Sequence, residues 1–203
     1  GLKDCAIILG FVPPYVTFKG ITERPSQRTS LVIHFKYLRK PAGVTIFPPS
    51  HHTRMIKKLY EHIGTAPSIR TAPDSDRRVP ETEPIIRTWV AGSMSVAHIE
   101  IAHYGKNIVR EIRAKLKELC LRKIEVIDLY LDLCNPLTAE LAGRFEALGF
   151  FFAGILPGAA ASGDALILQY LNNVPIDYRQ IKVASESTER LLSYVMEHDP
   201  NRV

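Results

Sequence analysis

The sequence predicts a mixed α/β fold built on a central mixed sheet. Strand-like and helix-like patterns alternate over residues 96–133, and a strand, a crossover helix and a strand form a right-handed parallel pair. Strand pairs joined by turn residues flank this unit and add antiparallel strands. The chain has 203 residues, of which 46% are hydrophobic, which is enough for one sizeable core.

The parallel unit begins with a strand predicted at Val96–His103, which ends in a turn at residues 104–107. A helix is predicted from about Asn107 to Arg122, because its apolar residues recur at the spacing of one helical face. These residues are Ile108, Ile112, Leu116 and Leu119. A run of β-forming residues then predicts a strand at Ile124–Leu133.

A second helix is predicted at Leu137–Leu148, after which the chain returns to strands. Asn135 is a suitable N-cap, Pro136 suits the first helical position, and Gly149 suits the helix end. The last two strands are predicted at Phe150–Leu156 and Asp164–Leu171.

The region before the parallel unit reads as a linker followed by a hairpin. Residues 67–84 are polar and broken by proline, with a short edge strand predicted at Ser68–Thr71. Pro84–Ala91 and Ser95–His103 flank Gly92-Ser93, which predicts an antiparallel pair joined by a turn.

An internal repeat relates the N-terminal residues to the C-terminal ones. Isoleucine, serine and threonine recur without a gap, since 181 − 46, 185 − 50 and 188 − 53 all equal 135, and each set leads into a helix. A leucine-glycine-phenylalanine sequence also recurs, with 149 − 10 = 139 for its glycine. We interpret this as a duplicated domain, with chance similarity as the alternative. Residues 1–66 would be the C-terminal half of one unit and residues 67–203 a complete unit.

Charge and cysteine content narrow the function classes. The formal net charge is +5, and the Lys and Arg residues are dispersed, whereas a nucleic-acid groove needs a clustered stripe. The charge predicts weak attraction to acidic partners such as coenzyme phosphates. Three cysteines without metal-like spacing predict reduced thiols in a cytoplasmic protein with no membrane partner. The chain does not begin with Met, and we interpret it as a fragment of a longer protein.

One short segment resembles a known family. Its residues are Ala139, Phe145, Glu146, Leu148, Gly149 and Phe150, with Asn135 just before them. They are similar to the asparagine, alanine, aromatic, glutamate, leucine-glycine-phenylalanine segment of the GNAT superfamily of N-acetyltransferases. Together with the order of elements, the resemblance covers roughly the last two-thirds of the chain. It implies a GNAT-like acyl-CoA acyltransferase fold, preceded here by the half repeat, with acetyl-CoA as co-substrate.

The resemblance places a coenzyme site in a split between two parallel strands, where the first strand turns into the helix. The corresponding residues are Tyr104, Gly105, Lys106, Asn107 and Asn135. Lys106 would pair with a phosphate on backbone N–H groups at the helix start. The alternative is that Gly105 only makes the turn and Asn107 only caps the helix. The family's proton-donating tyrosine corresponds to Phe145, which has no proton to give.

The expected catalytic base lies on the strand before this turn. Strict alternation places His98 and Glu100 on one face, where either residue can accept a proton from an acceptor amine. The alternative is a solvent-facing polar face on a half-buried strand. His51, His52 and His62 would need a fourth ligand and an acidic neighbour to suggest zinc, and they lie on or beside an amphipathic helix, so we predict no metal site.

Two function classes remain open at this stage. The first is an acyl-CoA-dependent N-acyltransferase that acts on an unknown small-molecule or protein amine. The second is a catalytically inactive GNAT-like module that binds a ligand or a protein and regulates a larger signalling protein of bacterial type. Loss of the family's glycines and tyrosine favours the second class, and fold resemblance favours the first.

Overall fold

The computed structural model describes residues 1–16, 25–39, 41, 43–73 and 78–202. Positions 74–77 of the predicted linker and most of the loop after Pro14, residues 17–24, lie outside the described residues. Within the described part, the chain forms a seven-stranded mixed sheet, a two-stranded sheet and four α-helices, so the mixed α/β class is confirmed. None of the helices in these described ranges is both long and apolar enough to cross a bilayer.

The helices and strands follow the predicted order. In sequence they are β1 (Lys3–Val12), β2 (Thr29–Phe35), β3 (Thr45–Ile46), α1 (Thr53–Ile63), β4 (Ser68–Ile69), β5 (Ile85–Ala91), β6 (Val96–His103), α2 (Ile108–Leu121), β7 (Val126–Asp132), α3 (Leu137–Glu146), β8 (Phe151–Leu156), β9 (Ala165–Leu171) and α4 (Glu186–His198).

The large sheet has the strand order β2-β1-β8-β9-β7-β6-β5. Its one parallel pair among the described strands is β6 with β7, connected by α2, and the other neighbours are antiparallel. The short strands β3 and β4 form a separate parallel pair. The predicted hairpin, β5 and β6, therefore leads directly into the predicted parallel crossover from β6 through α2 to β7.

The helix ends explain where the chain changes direction. Asn135 accepts a hydrogen bond from the Leu137 N–H through Oδ1 at 3.0 Å, which confirms its predicted capping role. Gly149 has φ +100°, the left-handed conformation expected of a C-terminal glycine. The capping role predicted for Asn107 is wrong as far as its side chain is concerned. Asn107 precedes α2, but its φ is 59° and its described side chain makes no capping hydrogen bond, because capping needs an extended backbone.

The core lies along the middle of the large sheet. Strand β1 is buried from Asp4 to Gly10, and strands β7 and β8 are buried along nearly their whole length. Helices α1 and α4 both pack on β1 and β8, so the N-terminal residues share one core with the C-terminal ones.

The joint between β1 and β8 requires glycine at one position. Ala6 pairs with Gly154, and a Cβ atom at Gly154 would lie 2.4 Å from the Ala6 Cα. The φ of Gly154 is +142°, which also disfavours any other residue. The β1–β2 register shifts between Asp4 and Ala6, and the β8–β9 register shifts between Phe152 and Gly154. The two hairpins thus carry the same irregularity next to the joint, as in a local two-fold arrangement.

The predicted repeat fits this arrangement only in part. Helices α1 and α4 end at Ile63 and His198, and 198 − 63 = 135, the offset found in the sequence. The leucine-glycine-phenylalanine match is wrong as a structural correspondence, because Gly10 lies inside β1 whereas Gly149 precedes β8. At the joint the offset is 154 − 6 = 148. The domain boundary near residue 66 and the duplication itself stay predictions.

Candidate functional site

The parallel strands β6 and β7 separate at their carboxyl ends. Their pairing runs from Val96 with Val126 to Glu100 with Tyr130, and among the described residues no later pair joins them. Strand β6 nevertheless continues to His103 and β7 to Asp132. We call the divergence beyond Glu100 and Tyr130 the fork. It lies where the coenzyme cleft was predicted.

A tyrosine side chain closes the fork. Tyr104 is 2% exposed, and its hydroxyl lies 2.9 Å from Oγ1 of Thr138 on α3. Thr138 donates to the carbonyl oxygen of Asp132, at the end of β7. Burial raises the pKa of Tyr104, so its hydroxyl stays protonated at neutral pH. These hydrogen bonds connect the end of β6 to the end of β7 across the mouth of the fork.

The turn after Tyr104 is also occupied by the chain itself. A Cβ at Gly105 would lie 2.3 Å from the Thr82 carbonyl oxygen, so the backbone before β5 rests directly on this glycine. The Lys106 N–H donates to the same carbonyl at 2.8 Å, and its ammonium lies 2.7 Å from a Glu83 carboxylate oxygen. The groups predicted to hold the coenzyme phosphates therefore already have partners.

Asn135 of the predicted coenzyme site has a structural role, and so does Phe145, which corresponds to the family's proton-donating tyrosine. The Asn135 side-chain oxygen is bonded to the first turn of α3, as described above. Phe145 is fully buried in the core and has no proton to donate. Both observations weaken a coenzyme role for the two ends of α3.

The predicted bases lie together on a half-buried face next to the fork. His98 and Glu100 project from β6, and the His98 ring centroid is 3.9 Å from Tyr130 and 5.3 Å from Trp89. Glu100 pairs with Arg87 of β5 at 3.4 Å. We call these five residues the shelf. The sequence prediction that His98 and Glu100 share a face agrees with their placement.

Burial sets the protonation of the shelf. It lowers the pKa of His98, and the Glu100 charge only partly opposes this, so the imidazole is neutral at neutral pH. A neutral imidazole can accept a proton or a hydrogen bond. Burial also raises the pKa of Tyr130, which keeps its hydroxyl protonated.

Asp128 is a polar residue beside the shelf that the motif search missed. It is 4% exposed and lies in register with His98 on the neighbouring strand. Gln169 donates to its Oδ1 at 3.3 Å and also bonds both backbone groups of Leu9, so this amide links three strands. Burial raises the pKa of Asp128 to about 7. The signal in the sequence was a carboxylate in the middle of an otherwise apolar run of β-forming residues.

A second polar cluster lies away from the shelf, and in it the structure supplies an acidic neighbour for His51 and His52. Both His51 and His52 lie within hydrogen-bonding distance of the Glu146 carboxylate, which is 94 residues from His52. Glu146 belongs to the segment that resembles the GNAT family, but neither helical spacing nor that resemblance indicates this contact. His62, the third histidine considered, instead lies 2.9 Å from Asp4.

Comparison with known proteins leaves the family open. No protein-family model matches the chain, and no curated protein matches it. The functional assignment therefore depends on the fork and the shelf.

Proposed function

We propose that this chain is a GNAT-like module that binds a cationic amine on the shelf and transfers no acyl group. In this proposal the shelf keeps the part of the ancestral site that bound the acceptor amine, and the fork, where the coenzyme would have bound, is closed. An antiparallel hairpin feeds a parallel crossover whose strands separate, as the resemblance implies, which supports the GNAT-like fold. The proposal covers the GNAT relationship, the ligand class and the absence of catalysis.

The buried hydrogen-bonded link from Tyr104 through Thr138 to the end of β7 is the observation that carries the proposal. Pantetheine needs this space, and to vacate it a fully buried side chain must leave Thr138. Removing a large aromatic side chain from a core costs roughly 3–5 kcal/mol. The coenzyme would also have to displace Thr82 from the Lys106 N–H before its phosphates reached that donor.

The shelf has the chemistry that recognises an ammonium group. The Glu100 carboxylate offers a negative charge, and the Trp89 ring, which is 52% exposed, offers a face for a cation–π contact worth about 0.5–2 kcal/mol. Arg87 already pairs with Glu100; the Arg87 side chain is 57% exposed and that of Glu100 is 13% exposed, so the guanidinium can turn into solvent while the carboxylate stays on the shelf. An incoming amine can therefore replace the guanidinium.

Thermal unfolding with and without coenzyme tests the closed fork. We expect no rise in the melting temperature at about 1 mM acetyl-CoA, because ligand stabilisation follows RT ln(1 + [L]/Kd). ADP serves as the control for weak phosphate binding by a chain of charge +5. A rise with acetyl-CoA that ADP does not reproduce would overturn the proposal.

Intrinsic fluorescence tests amine binding, because Trp89 is the only tryptophan of the chain. Butylamine or spermidine should change its emission in a saturable way, and Glu100→Gln should weaken binding about tenfold or more. Glu111→Gln is the matched control, since Glu111 is an acid on α2 that also has an arginine partner. Equal titrations for the Glu100→Gln and Glu111→Gln variants would count against an ammonium site on the shelf.

A catalytic N-acyltransferase is the second candidate, supported by the fork itself and by the neutral His98. The amine nitrogen would attack the thioester carbon, Glu100 or His98 would accept the amine proton, and the coenzyme would leave as a thiolate. Water would have to protonate the thiolate because Phe145 cannot. Release of coenzyme thiol with an amine present, slowed in Glu100→Gln without weaker coenzyme binding, would support this candidate over the first.

A further inference from the structure

The cluster of His51, His52 and Glu146 places three metal-ligand side chains at one point. The two histidines come from the loop before α1, and Glu146 is the last residue of α3. His51 Nε2 lies 2.8 Å from Glu146 Oε2, and His52 Nε2 lies 2.9 Å from Oε1. One possible ligand atom from each residue lies within 4.8 Å of both others.

The surroundings of His52 hold its ring in one orientation. The side chain is fully buried, with the Phe152 ring centroid 4.7 Å away and the His198 ring centroid 4.9 Å away. Its Nδ1 lies 2.8 Å from the Tyr194 hydroxyl oxygen, which is itself 3.3 Å from the His51 carbonyl oxygen. A metal-binding histidine characteristically has such a partner on its second nitrogen, which fixes the tautomer.

Two proton arrangements fit these distances, and one of them calls for a cation. Tyr194 can donate to His52 Nδ1, and Nε2–H then donates to Glu146. Alternatively Tyr194 donates to the His51 carbonyl and accepts from Nδ1–H, which leaves the Nε2 lone pair facing the Glu146 carboxylate. A cation placed between this lone pair and the carboxylate would bind to both.

We propose that His51, His52 and Glu146 bind one divalent transition-metal ion of the Zn²⁺ type, with a fourth position open to solvent. Two imidazoles and one carboxylate are a known ligand set for zinc, whereas Mg²⁺ and Ca²⁺ prefer oxygen ligands alone. Zinc bonds of about 2.0–2.2 Å in tetrahedral geometry separate the ligand atoms by roughly 3.3 Å. The present contacts at 2.8 and 2.9 Å are to the two different oxygens of Glu146, so binding needs them to open and the carboxylate to turn one oxygen toward the ion.

Access and placement both fit this proposal. The His51 side chain is 43% exposed and that of Glu146 is 22% exposed, so an ion can enter from solvent, whereas His52 is fully buried behind them. The site joins the segment before α1 to α3 and, through Tyr194, to α4. A bound ion would therefore connect the N-terminal segment to the rest of the chain, at a position distinct from the shelf.

Zinc titration of the untagged, metal-free chain tests the site. Calorimetry should give one Zn²⁺ per chain, and Co²⁺ in its place should show the absorption of a four-coordinate ion. His51→Gln should weaken binding at least about tenfold, and Tyr194→Phe about tenfold through the second nitrogen of His52. His34→Gln is the matched control, because His34 is an exposed histidine on β2.

The result for His51→Gln decides the proposal. His52 is fully buried, so its replacement risks unfolding the chain, whereas His51 is half-exposed and its replacement should leave the fold unchanged by circular dichroism. Absence of Zn²⁺ binding by the wild-type chain would overturn the proposal. Binding that is the same in His51→Gln and His34→Gln would overturn it as well.

Discussion

A carboxylate in the middle of an apolar strand shapes the pH dependence of stability at the residue scale. Asp128 is almost fully buried, and Gln169 provides its described hydrogen bond. Burial raises its pKa to about 7 from an ordinary value of 3.8. Between these values the folded chain keeps a proton that the unfolded chain has released, so the free energy of unfolding falls as pH rises.

We therefore predict that Asp128→Asn stabilises the protein increasingly as pH rises. Asparagine keeps the shape and can still accept from Gln169, but it never acquires the buried charge. At 1.36 kcal/mol per pKa unit, the advantage of the variant should grow by roughly 2–3 kcal/mol between pH 5 and pH 8. Urea unfolding at both pH values measures this, and parallel pH profiles for variant and wild type would contradict it.

The fork gives a second prediction at this scale. Tyr104→Phe keeps the ring but removes the hydroxyl that meets Thr138, so it should destabilise the chain by about 1 kcal/mol. Tyr104→Ala leaves a cavity and should cost roughly 3–5 kcal/mol. Thermal unfolding of both variants checks the order. Two equally mild variants would show that Tyr104 does not fill the fork.

Individual residues were predictable from the sequence only where local periodicity determines their position. His98 and Glu100 share a face because alternation along a strand is strict. Tyr104 was expected at a coenzyme site, yet it fills the cleft, because the sequence does not show which buried partner a tyrosine will reach. The contact between His52 and Glu146 joins residues 94 positions apart, and spacing in the sequence carries no signal for it.

At the scale of elements, one helix start differs from its repeat counterpart. The Ser185 hydroxyl accepts from the Thr188 N–H at 3.2 Å and caps α4. Ser50 occupies the corresponding position of the repeat, but the N-cap of α1 is His52, two residues later. The His52 side chain makes no capping hydrogen bond in the described structure.

We predict that Ser185→Ala destabilises the protein by about 1 kcal/mol, the usual contribution of a serine cap. Ser50→Ala is the matched control and should change stability by less than about half of that. Chemical denaturation of the two variants makes the comparison. Equal losses would mean that the two helix starts are alike despite their different geometry.

The close approach of β1 and β8 gives another prediction for elements. Gly154→Ala should destabilise the chain by roughly 2–4 kcal/mol, because the new Cβ would overlap the Ala6 backbone in a strained conformation. Gly143→Ala at an exposed position of α3 places a Cβ with no described atom within 4 Å, and it should stabilise the protein by about 0.5–1 kcal/mol. Opposite signs in thermal unfolding are expected, and a neutral Gly154→Ala would contradict the close joint.

Most helices and strands were predictable because their hydrophobic patterns are long and because residues such as asparagine, proline and glycine mark where they begin and end. The predicted and observed bounds of α2 and β6 agree within one residue. The false match of Gly10 with Gly149 arose because three common residues in a row do not specify whether a strand begins or ends there. Only the partner strand decides that, and pairing between distant strands is not visible in one sequence.

At the scale of the whole molecule, the N-terminal segment is part of the main core. Strand β1 lies between β2 and β8, and α1 packs on both β1 and β8. Residues 67–203, predicted to form a complete unit, would lose the cover of β8 if they were produced alone. That strand carries Phe151 and Phe152, which are fully buried in the whole chain.

We therefore expect the fragment 67–203 to be less stable than the whole chain and to self-associate through the uncovered β8 edge. Size-exclusion chromatography and urea unfolding of fragment and whole chain, at equal concentration, measure both effects. A monomeric fragment with the stability of the whole chain would show that residues 1–66 are dispensable for folding.

The near-equivalent irregularities on either side of the Ala6–Gly154 pair have a consequence for assembly. Because each hairpin presents a similar edge to the other, the hairpin of one molecule can take the place of its counterpart in a neighbour. Concentrated or briefly heated samples should then yield intertwined dimers that separate slowly on dilution. Such dimers would have a doubled mass. Their circular dichroism spectrum would be unchanged, because every strand would pair with the same strand as in the monomer, now supplied by the other molecule.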